Sequence, residues 1–453
     1  MEPDQLAGWV AEATGERVTG IERIALGFSR STFLVTTVAG RELVARLDVP
    51  DGPLAGTQVS LAREREVHQA LRGQRLPRPE LIASAADGSA LLFERSPGTH
   101  ELGHLTTTDR EAVLDDYLDR IADLHLLRPD ELDLPSRRAE AGTNPIVAEL
   151  DRWEAALDRR SRRPWPLLSL AFRALRRHAA EPEPAELVLC HGDVGPRNFL
   201  HDGRRVTALL DWEFWHVGEP FDDLAWWIWR AHERSCGCGD LPTQLRRWSA
   251  RTGIALDGRR IDYYTVAVRL RSVVVAVVAL DNQARGVDHS VLLPIVWTLS
   301  YQIARDLLHL DGAELDLYWA ATEEPSAAFG EEALGYLGRD VRELLVPDAG
   351  TPEARRQAGA VLTYAEHLVA VARLGPSVRQ ADDADLRRLI GLERDSDRID
   401  QCLDELVRGG HPEAELTQLL GRRAYRRLQL WPSAFARSAT PPIRIADLLG
   451  SGA

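Results

Sequence analysis

The residues best suited to chemistry lie in one stretch, which opens with His191-Gly192-Asp193 and continues to Asn198 and Asp211. A carboxylate can orient a hydroxyl group and accept its proton, and the side-chain oxygens of Asn and Asp are the hard ligands that Mg²⁺ prefers. Phosphoryl transfer needs these groups, because it depends on positioning and charge stabilisation more than on covalent help from the protein. We therefore predict Asp193 as the catalytic base and Asn198 and Asp211 as the metal ligands.

Short strands are predicted on both sides of these residues. Residues 187–190 form an apolar run that ends at His191, and residues 205–210 form a second run that ends at Asp211. Strands joined by a tight turn would deliver Asn198 and Asp211 to one edge, where both could reach the same cation. The alternative is that the polar residues only cap a turn and end a strand.

The pattern His-Gly-Asp-x-x-x-x-Asn, followed by Asp-Trp-Glu at residues 211–213, resembles the aminoglycoside phosphotransferase family. A later segment with Gly218, Pro220 and Asp223 resembles that family's Gly-Asp-Pro-x-x-Asp-Leu-Ala, but Glu219 stands where the family usually has Asp. The resemblance implies an α+β, bilobal protein-kinase-like fold with a small antiparallel-sheet N-lobe and a mainly helical C-lobe. It also implies that Asp223 braces the catalytic loop. It covers roughly the first two thirds of the chain.

A nucleotide lid is predicted near the N-terminus. Residues 21–26 and 33–38 read as two strands of a hairpin, and the tip carries Gly27, Phe28 and Ser29. Small polar tips can bring backbone N–H groups close to phosphates. An ordinary hairpin is the alternative reading, and the resemblance is what favours nucleotide binding at these three residues.

The phosphate anchor is predicted to be an arginine. Kinases place a lysine on the corresponding strand, but this chain contains no lysine, so Arg46 on the strand at 42–47 takes that position. Its planar guanidinium suits phosphate oxygens. By the resemblance, the partner carboxylate is Glu64 on the helix at 61–71, with Glu66 as the less favoured choice. A solvated surface charge is the alternative for each of these residues.

The adenine hinge is predicted at the end of the next strand pair. Residues 81–84 and 90–94 read as strands, and the following residues resemble the family's connection between lobes. We expect adenine to be read by backbone groups from Glu94 to Ser96, so side-chain identity says little there.

The rest of the chain is predicted to be helical. The run at 263–280 is the most apolar, but Arg269 and Arg271 interrupt it, so we predict a core helix rather than a membrane span. Asp281 and Asp288, near its end, could face a polar substrate. We divide the chain into an N-lobe, a C-lobe, an accessory all-α C-terminal domain for packing, dimerisation or substrate capping, and a flexible tail: 1–98, 99–320, 327–437 and 438–453.

Composition narrows the class of protein. The chain has 453 residues and a net charge of −14, which argues against nucleic acid as the main partner and favours a cationic or neutral acceptor. The N-terminus lacks a basic start and an apolar run, and only four cysteines are present. We therefore expect a cytoplasmic chain with no membrane partner, which could form a homodimer.

These observations predict a kinase that uses ATP or GTP and Mg²⁺ to phosphorylate a hydroxyl group of a small molecule. One alternative is a nucleotide-binding pseudokinase or scaffold module. Another is a metal hydrolase that uses His191, Asp193 and Asp211. The family includes antibiotic kinases and kinases of choline, homoserine, sugars and hydroxyacyl thioesters, and the motifs lean slightly towards a metabolic acceptor.

Overall fold

The structure is a computed structural model. The residues that it describes are 3–26, 30–49, 52, 54, 57–136, 144–179, 186–233, 238–281, 288–317, 331–346, 350–391, 399–438 and 443–445. The predicted lid residues Gly27, Phe28 and Ser29 and the predicted domain boundary at 320–327 lie outside them.

The N-lobe is built on a five-stranded antiparallel sheet with the spatial order β1-β2-β3-β5-β4. One helix packs on the sheet, where its Leu6 and Val10 contact buried strand residues such as Leu43. The return strand of the first hairpin begins at Arg30, three residues earlier than predicted. The elements are α1 (Pro3–Thr14), β1 (Val18–Leu26), β2 (Arg30–Thr37), β3 (Glu42–Asp48), α2 (Leu61–Ala70), β4 (Leu81–Ser84) and β5 (Ala90–Glu94).

The C-lobe contains two short ribbons that carry the predicted catalytic segment, and helices surround them. Strand β6 pairs with β9, and strand β7 pairs with β8. The strands are β6 (Val188–Cys190), β7 (Phe199–His201), β8 (Val206–Leu209) and β9 (His216–Gly218). The helices are α3 (Thr107–His125), α4 (Pro145–Arg160), α5 (Pro166–Ala179), α6 (Phe221–Trp227), α7 (Leu241–Thr252), α8 (Gly258–Asp281) and α9 (His289–Leu310), and a π-helical segment (Ile228–Glu233) follows α6.

The C-terminal helices pack directly onto the C-lobe. Leu167 of α5 and Ala304 of α9 share one hydrophobic cluster with Leu403 and Leu419. A Cβ atom at Gly421 would lie 2.9 Å from the Cβ of Ala304, so the close approach to α9 requires a glycine there. These helices are α10 (Glu331–Asp340), α11 (Pro352–Ile390), α12 (Ile399–Arg408), α13 (Glu413–Gln429) and α14 (Pro432–Ser438).

Helix α8 is long and apolar enough to cross a membrane, but 83% of its most apolar 18-residue window is buried inside the protein. Such burial is typical of a core helix.

In the predicted tail, Ile445 is 1% exposed in the main core and Arg444 lies 3.2 Å from Asp306. These two residues of the segment predicted as a flexible tail therefore contact the rest of the protein.

Candidate active site

Arg46 lies in the cleft because of the alternation of strand β3. Leu43, Ala45 and Leu47 are buried on one face, so Arg46 is on the other. Its Nη1 is 2.9 Å from Glu64 Oε1 and 2.9 Å from Asp211 Oδ1. Burial lowers the pKa of Arg46, but the carboxylates more than offset this and raise it, so the side chain stays charged.

The structure distinguishes the two candidate partners of Arg46. Glu64 lies in the first turn of α2, is 1% exposed and pairs with Arg46. Glu66 instead accepts hydrogen bonds of 2.8 Å from the backbone N–H and the hydroxyl of Ser136. Burial raises the pKa of the Glu64 carboxyl, and the charge of Arg46 opposes this rise. The charged form of the buried carboxylate is therefore stabilised by its pairing with Arg46.

Asp193 and Asn198 contact each other within the loop that follows β6. The Asn198 Nδ2 donates to the backbone oxygen of Asp193 over 2.7 Å and to Asp193 Oδ2 over 2.5 Å. Both partners are acceptors, so the amide nitrogen must face them and the Oδ1 of Asn198 points away from Asp193. That oxygen is the atom of Asn198 suited to bind a cation.

The β7–β8 ribbon brings Asn198 and Asp211 to the same end. Phe199 pairs with Leu209, and the Leu210 N–H donates to the backbone oxygen of Asn198 over 2.9 Å. Asp211 follows at once with φ 59°, the one positive φ outside glycine among the described residues. Strained backbone of this kind is often found at functional sites, and it persists only when the surrounding structure imposes it.

Asp223 holds the loop that carries Asp193 and Asn198. It is fully buried, and its two oxygens accept the backbone N–H groups of His191 and Gly192 over 2.8 Å. It also lies 3.0 Å from His125 Nε2, whose ring Nδ1 accepts the indole N–H of Trp248 over 3.1 Å. Since an indole can only donate, the remaining proton of a neutral His125 is on Nε2 and points at Asp223. Burial raises the pKa of Asp223, but these donors outweigh it and lower the pKa below its ordinary value.

We expect Asp223→Ala to lower the free energy of unfolding by about 3–5 kcal/mol, because it leaves buried donors without an acceptor. Urea unfolding measures this. The exposed Glu101→Ala is the control and should change stability by less than about 0.5 kcal/mol. A folded-state pKa below the unfolded one means that this stabilisation is present above the unfolded pKa and disappears as pH falls. Equal effects of the two substitutions would contradict the bracing role.

Arg230 was not among the predicted site residues, yet it forms an ion pair with Asp193. It lies in the π-helical segment Ile228–Glu233, and such segments are frequent at functional sites. Its guanidinium approaches the ring of Trp226 to 5.9 Å. A Cβ atom at Gly195 would lie 2.7 Å from Arg230 Nε, so the glycine makes room for the arginine. The available signal in the sequence was a charged residue at the end of a run of aromatic residues.

The charge of Arg230 should control the protonation of Asp193. Burial raises the pKa of Asp193 above its ordinary value, and Arg230 opposes that rise. We therefore expect Arg230→Gln to move the acidic limb of the profile of kcat/KM against pH to higher pH, because the carboxylate then loses its proton only at higher pH. The exposed Arg204→Gln serves as the control. An acidic limb that stays in place in Arg230→Gln would refute this coupling.

The predicted adenine hinge, from Glu94 to Ser96, makes most of its contacts within the N-lobe. The Glu94 side chain pairs with Arg41. The backbone N–H of Glu94 donates to Glu80 over 2.9 Å, and that of Arg95 donates to Glu42 over 3.2 Å. Within the predicted hinge, this leaves the N–H of Ser96 as the backbone donor for an adenine ring.

A cavity of about 660 Å³ lies between the C-lobe and the C-terminal helices. Trp229 and Glu233, on either side of Arg230 in sequence, form part of its wall. Asp288 also lines it. Asp281, the other candidate for substrate contact, instead accepts from the Ser161 hydroxyl over 2.5 Å. The cavity therefore adjoins the segment that contacts Asp193.

No group of three or more His, Cys, Asp or Glu side chains able to hold a metal ion was found within the described ranges. The predicted ligand pair of Asn198 and Asp211 is smaller than such a group. Mg²⁺ commonly takes only one or two protein ligands and completes its shell with phosphates and water. The residues therefore fit a cation that arrives with a nucleotide.

Comparison with known proteins identifies relatives of the part of the chain that carries this site. A sequence model described as the phosphotransferase enzyme family matches residues 20–261. The acyl-CoA dehydrogenase family member 11 of Homo sapiens is 25% identical over 231 residues, which cover 49% of this chain and 29% of that protein. The family member 10 of Mus musculus is 26% identical over 214 residues, which cover 44% of this chain and 19% of that protein. The match thus spans less than a third of each relative.

Solved structures share the fold. A candidate aminoglycoside phosphotransferase from Ralstonia eutropha JMP134 has a TM-score of 0.50 and 18% identity, and the match covers 69% of this chain and 99% of that one. The choline kinase LicA from Streptococcus pneumoniae has a TM-score of 0.50 and 13% identity, with 67% and 98% covered. The bilobal kinase-like fold predicted from the sequence is therefore confirmed.

Proposed function

Because this chain belongs to the phosphotransferase enzyme family, we propose that it is a kinase that transfers the terminal phosphoryl group of ATP or GTP to a hydroxyl group of a small molecule, with Mg²⁺. The observation that carries this proposal is the meeting of two sets of residues in one cleft. Arg46 of the N-lobe, paired with Glu64, contacts Asp211 of the C-lobe. Asp211 lies beside the loop that holds Asp193 and Asn198.

Each residue has a role that its contacts support. Asp193 orients the acceptor hydroxyl and takes its proton as the oxygen attacks the terminal phosphorus. The bond between that phosphorus and the bridging oxygen breaks, and the nucleoside diphosphate leaves with the electron pair. Arg46 neutralises phosphate charge, and Glu64 fixes its direction. Glu213, whose carboxylate is 3.6 Å from Arg46, is a further charged partner of that arginine.

The cation site would consist of the Oδ1 of Asn198 and the carboxylate of Asp211. Bound Mg²⁺ supplies charge stabilisation for the phosphate oxygens. The Asp211 side chain is 46% exposed, so it can reach a ligand in the cleft. Its present contact with Arg46 involves only Oδ1, which leaves the second oxygen for the cation.

The acceptor is proposed to enter the cavity beside Arg230. A volume of about 660 Å³ suits a small organic molecule. The wall combines the indoles of Trp229 and Trp431 with charged groups of both signs, since Arg356 lines it beside Asp288 and Glu233 pairs with Arg269. The aromatic part of the wall favours an acceptor with an apolar part. The names of the sequence relatives and the motifs of this chain favour a metabolic hydroxyl compound over an antibiotic.

A second candidate function is a nucleotide-binding pseudokinase. One observation favours it, since both the predicted base Asp193 and the predicted metal ligand Asp211 are engaged by arginines. The hydrolase alternative is weaker. The His191 Nε2 donates to the backbone oxygen of Leu210 over 2.8 Å, and its Nδ1 is buried from solvent, so neither ring nitrogen is open to a cation in the cleft.

Two assays separate the kinase from the pseudokinase. Calorimetric titration of ATP and of GTP with and without Mg²⁺ measures nucleotide binding. Turnover with a panel of choline, homoserine, sugars, hydroxyacyl thioesters and aminoglycosides measures transfer. A kinase gives acceptor-dependent release of the nucleoside diphosphate that requires Mg²⁺. Tight binding without transfer to any acceptor would favour the pseudokinase.

A further inference from the structure

A second cavity, of about 360 Å³, lies on another face of helix α9 and is lined by arginine and aromatic side chains. The guanidinium of Arg163 lies 4.3 Å from the ring centre of Trp165, and that of Arg427 lies 5.1 Å from the ring centre of Trp297. The two indole rings are 6.1 Å apart. The two cations therefore line one cavity, each against an aromatic face.

A stacked pair of rings closes another side of this cavity. His367 and Trp431 lie with their ring centres 3.8 Å apart and an interplanar angle of 9°. The His367 Nδ1 is 2.7 Å from the backbone oxygen of Leu430, which fixes the proton on that nitrogen. Burial lowers the pKa of His367, so the ring adds an aromatic surface rather than a charge at neutral pH.

Arg427 has a positive charge that nearby carboxylates do not neutralise. No ion pair joins it to a carboxylate in the part of the chain that the structure describes, and its guanidinium lies over the ring of Trp297. Two carboxylates act on its charge, but both pair with other arginines: Asp400 with Arg423 over 3.1 Å and Asp382 with Arg426 over 2.8 Å. Burial and the neighbouring Arg423 lower the pKa of Arg427, and the opposing effects of Asp382 and Asp400 do not offset this.

Arg163 faces the same cavity from the C-lobe. Its Nε is 3.8 Å from Asp281 Oδ1, but the other oxygen of Asp281 already accepts from the Ser161 hydroxyl and the Arg162 backbone N–H. The Arg163 side chain is 52% exposed, so it can turn towards a ligand. Arg163 and Arg427 both line this cavity, and the charge of Arg163 contributes to the lowering of the pKa of Arg427.

We propose that this cavity binds a phosphorylated ligand with a flat ring system, separate from the predicted nucleotide cleft. The phosphate bridges Arg163 and Arg427, which supply charge-assisted hydrogen bonds. The ring enters among Trp165, Trp297 and Trp431, where stacking is favourable. The ligand thus supplies the negative charge that Arg427 lacks. The site joins the C-lobe to the C-terminal helices, so its occupant would tie the two together.

Calorimetric titration with 1-naphthyl phosphate tests the site, and 1-naphthol and inorganic phosphate serve as the probes that lack the charge or the ring. We expect the phosphate ester to bind at least about tenfold more tightly than either, and binding to weaken with added salt. Arg427→Gln should weaken it by about tenfold or more, while Arg427→Lys should retain part of the affinity.

Arg163→Gln provides a second, independent variant, because its side chain lies half in solvent and its loss should leave folding intact. It should also weaken the ester, with the melting temperature and ATP affinity unchanged. Equal affinity for the ester and 1-naphthol, or unchanged affinity in both variants, would overturn the proposal. If ATP did not bind the wild-type protein, this result would count against the kinase assignment and not against the second site.

Discussion

Asp193→Asn is expected to reduce kcat by about 10²–10⁴-fold while leaving the affinity for nucleotide nearly unchanged. The substitution keeps the shape of the side chain but removes the oxygen charge that orients and deprotonates the acceptor hydroxyl. The nucleotide contacts proposed here come from other residues, namely Arg46, Asn198 and Asp211. Steady-state turnover and calorimetric binding of nucleotide, measured on the same preparation, give the two quantities.

A matched control separates loss of chemistry from loss of charge. Asp151 is an exposed aspartate on α4, with a side chain 58% exposed, so Asp151→Asn changes the net charge equally without touching the cleft. Turnover in this control should match the wild type. If Asp193→Asn turned over acceptor at the wild-type rate, the assignment of Asp193 as base would be wrong.

Arg46→Met is expected to have the second large effect, on both nucleotide affinity and stability. Affinity should fall by about 10²-fold or more, because a charge-assisted contact to the phosphates is lost. The free energy of unfolding should fall by about 3–5 kcal/mol, because Glu64, 1% exposed, is left as an uncompensated buried charge. Calorimetry and urea unfolding measure the two quantities.

The double variant Arg46→Met with Glu64→Gln distinguishes the two consequences. Removing both charges should restore much of the lost stability, since a buried ion pair replaced by neutral groups often costs little. Nucleotide affinity should stay low, because the phosphates still lack their cation. A double variant that regained affinity together with stability would show that Arg46 serves the fold alone.

Sequence reasoning succeeded where local pattern and motif act together. Arg46 was predicted on the strand at 42–47, and strand β3 holds it on the face opposite Leu43 and Leu47. The spacing of Asn198 and Asp211 predicted a shared edge, which the β7–β8 pairing provides. These are short-range constraints, which follow from strand periodicity and turn length.

Contacts between distant segments could not be predicted in this way. The choice between Glu64 and Glu66 depends on how α2 is rotated against the sheet, which packing determines. Arg230 pairs with Asp193, which lies 37 residues earlier in the chain. Arg230 is in a π-helical segment, and the hydrophobic periodicity of the sequence does not predict such a segment. Likewise, Arg427 and Arg163 line one cavity only because α13 packs beside the C-lobe.

The most direct test of the account is a crystal structure with Mn²⁺ and a non-hydrolysable ATP analogue, measured at a wavelength where manganese scatters anomalously. The account predicts one anomalous peak at about 2.0–2.3 Å from the Oδ1 of Asn198 and from a carboxylate oxygen of Asp211, in contact with the phosphates. Arg46 should then contact the phosphates, and Asp193 should lie open to the acceptor side. A peak away from both residues, or a nucleotide bound outside the cleft between the lobes, would contradict it.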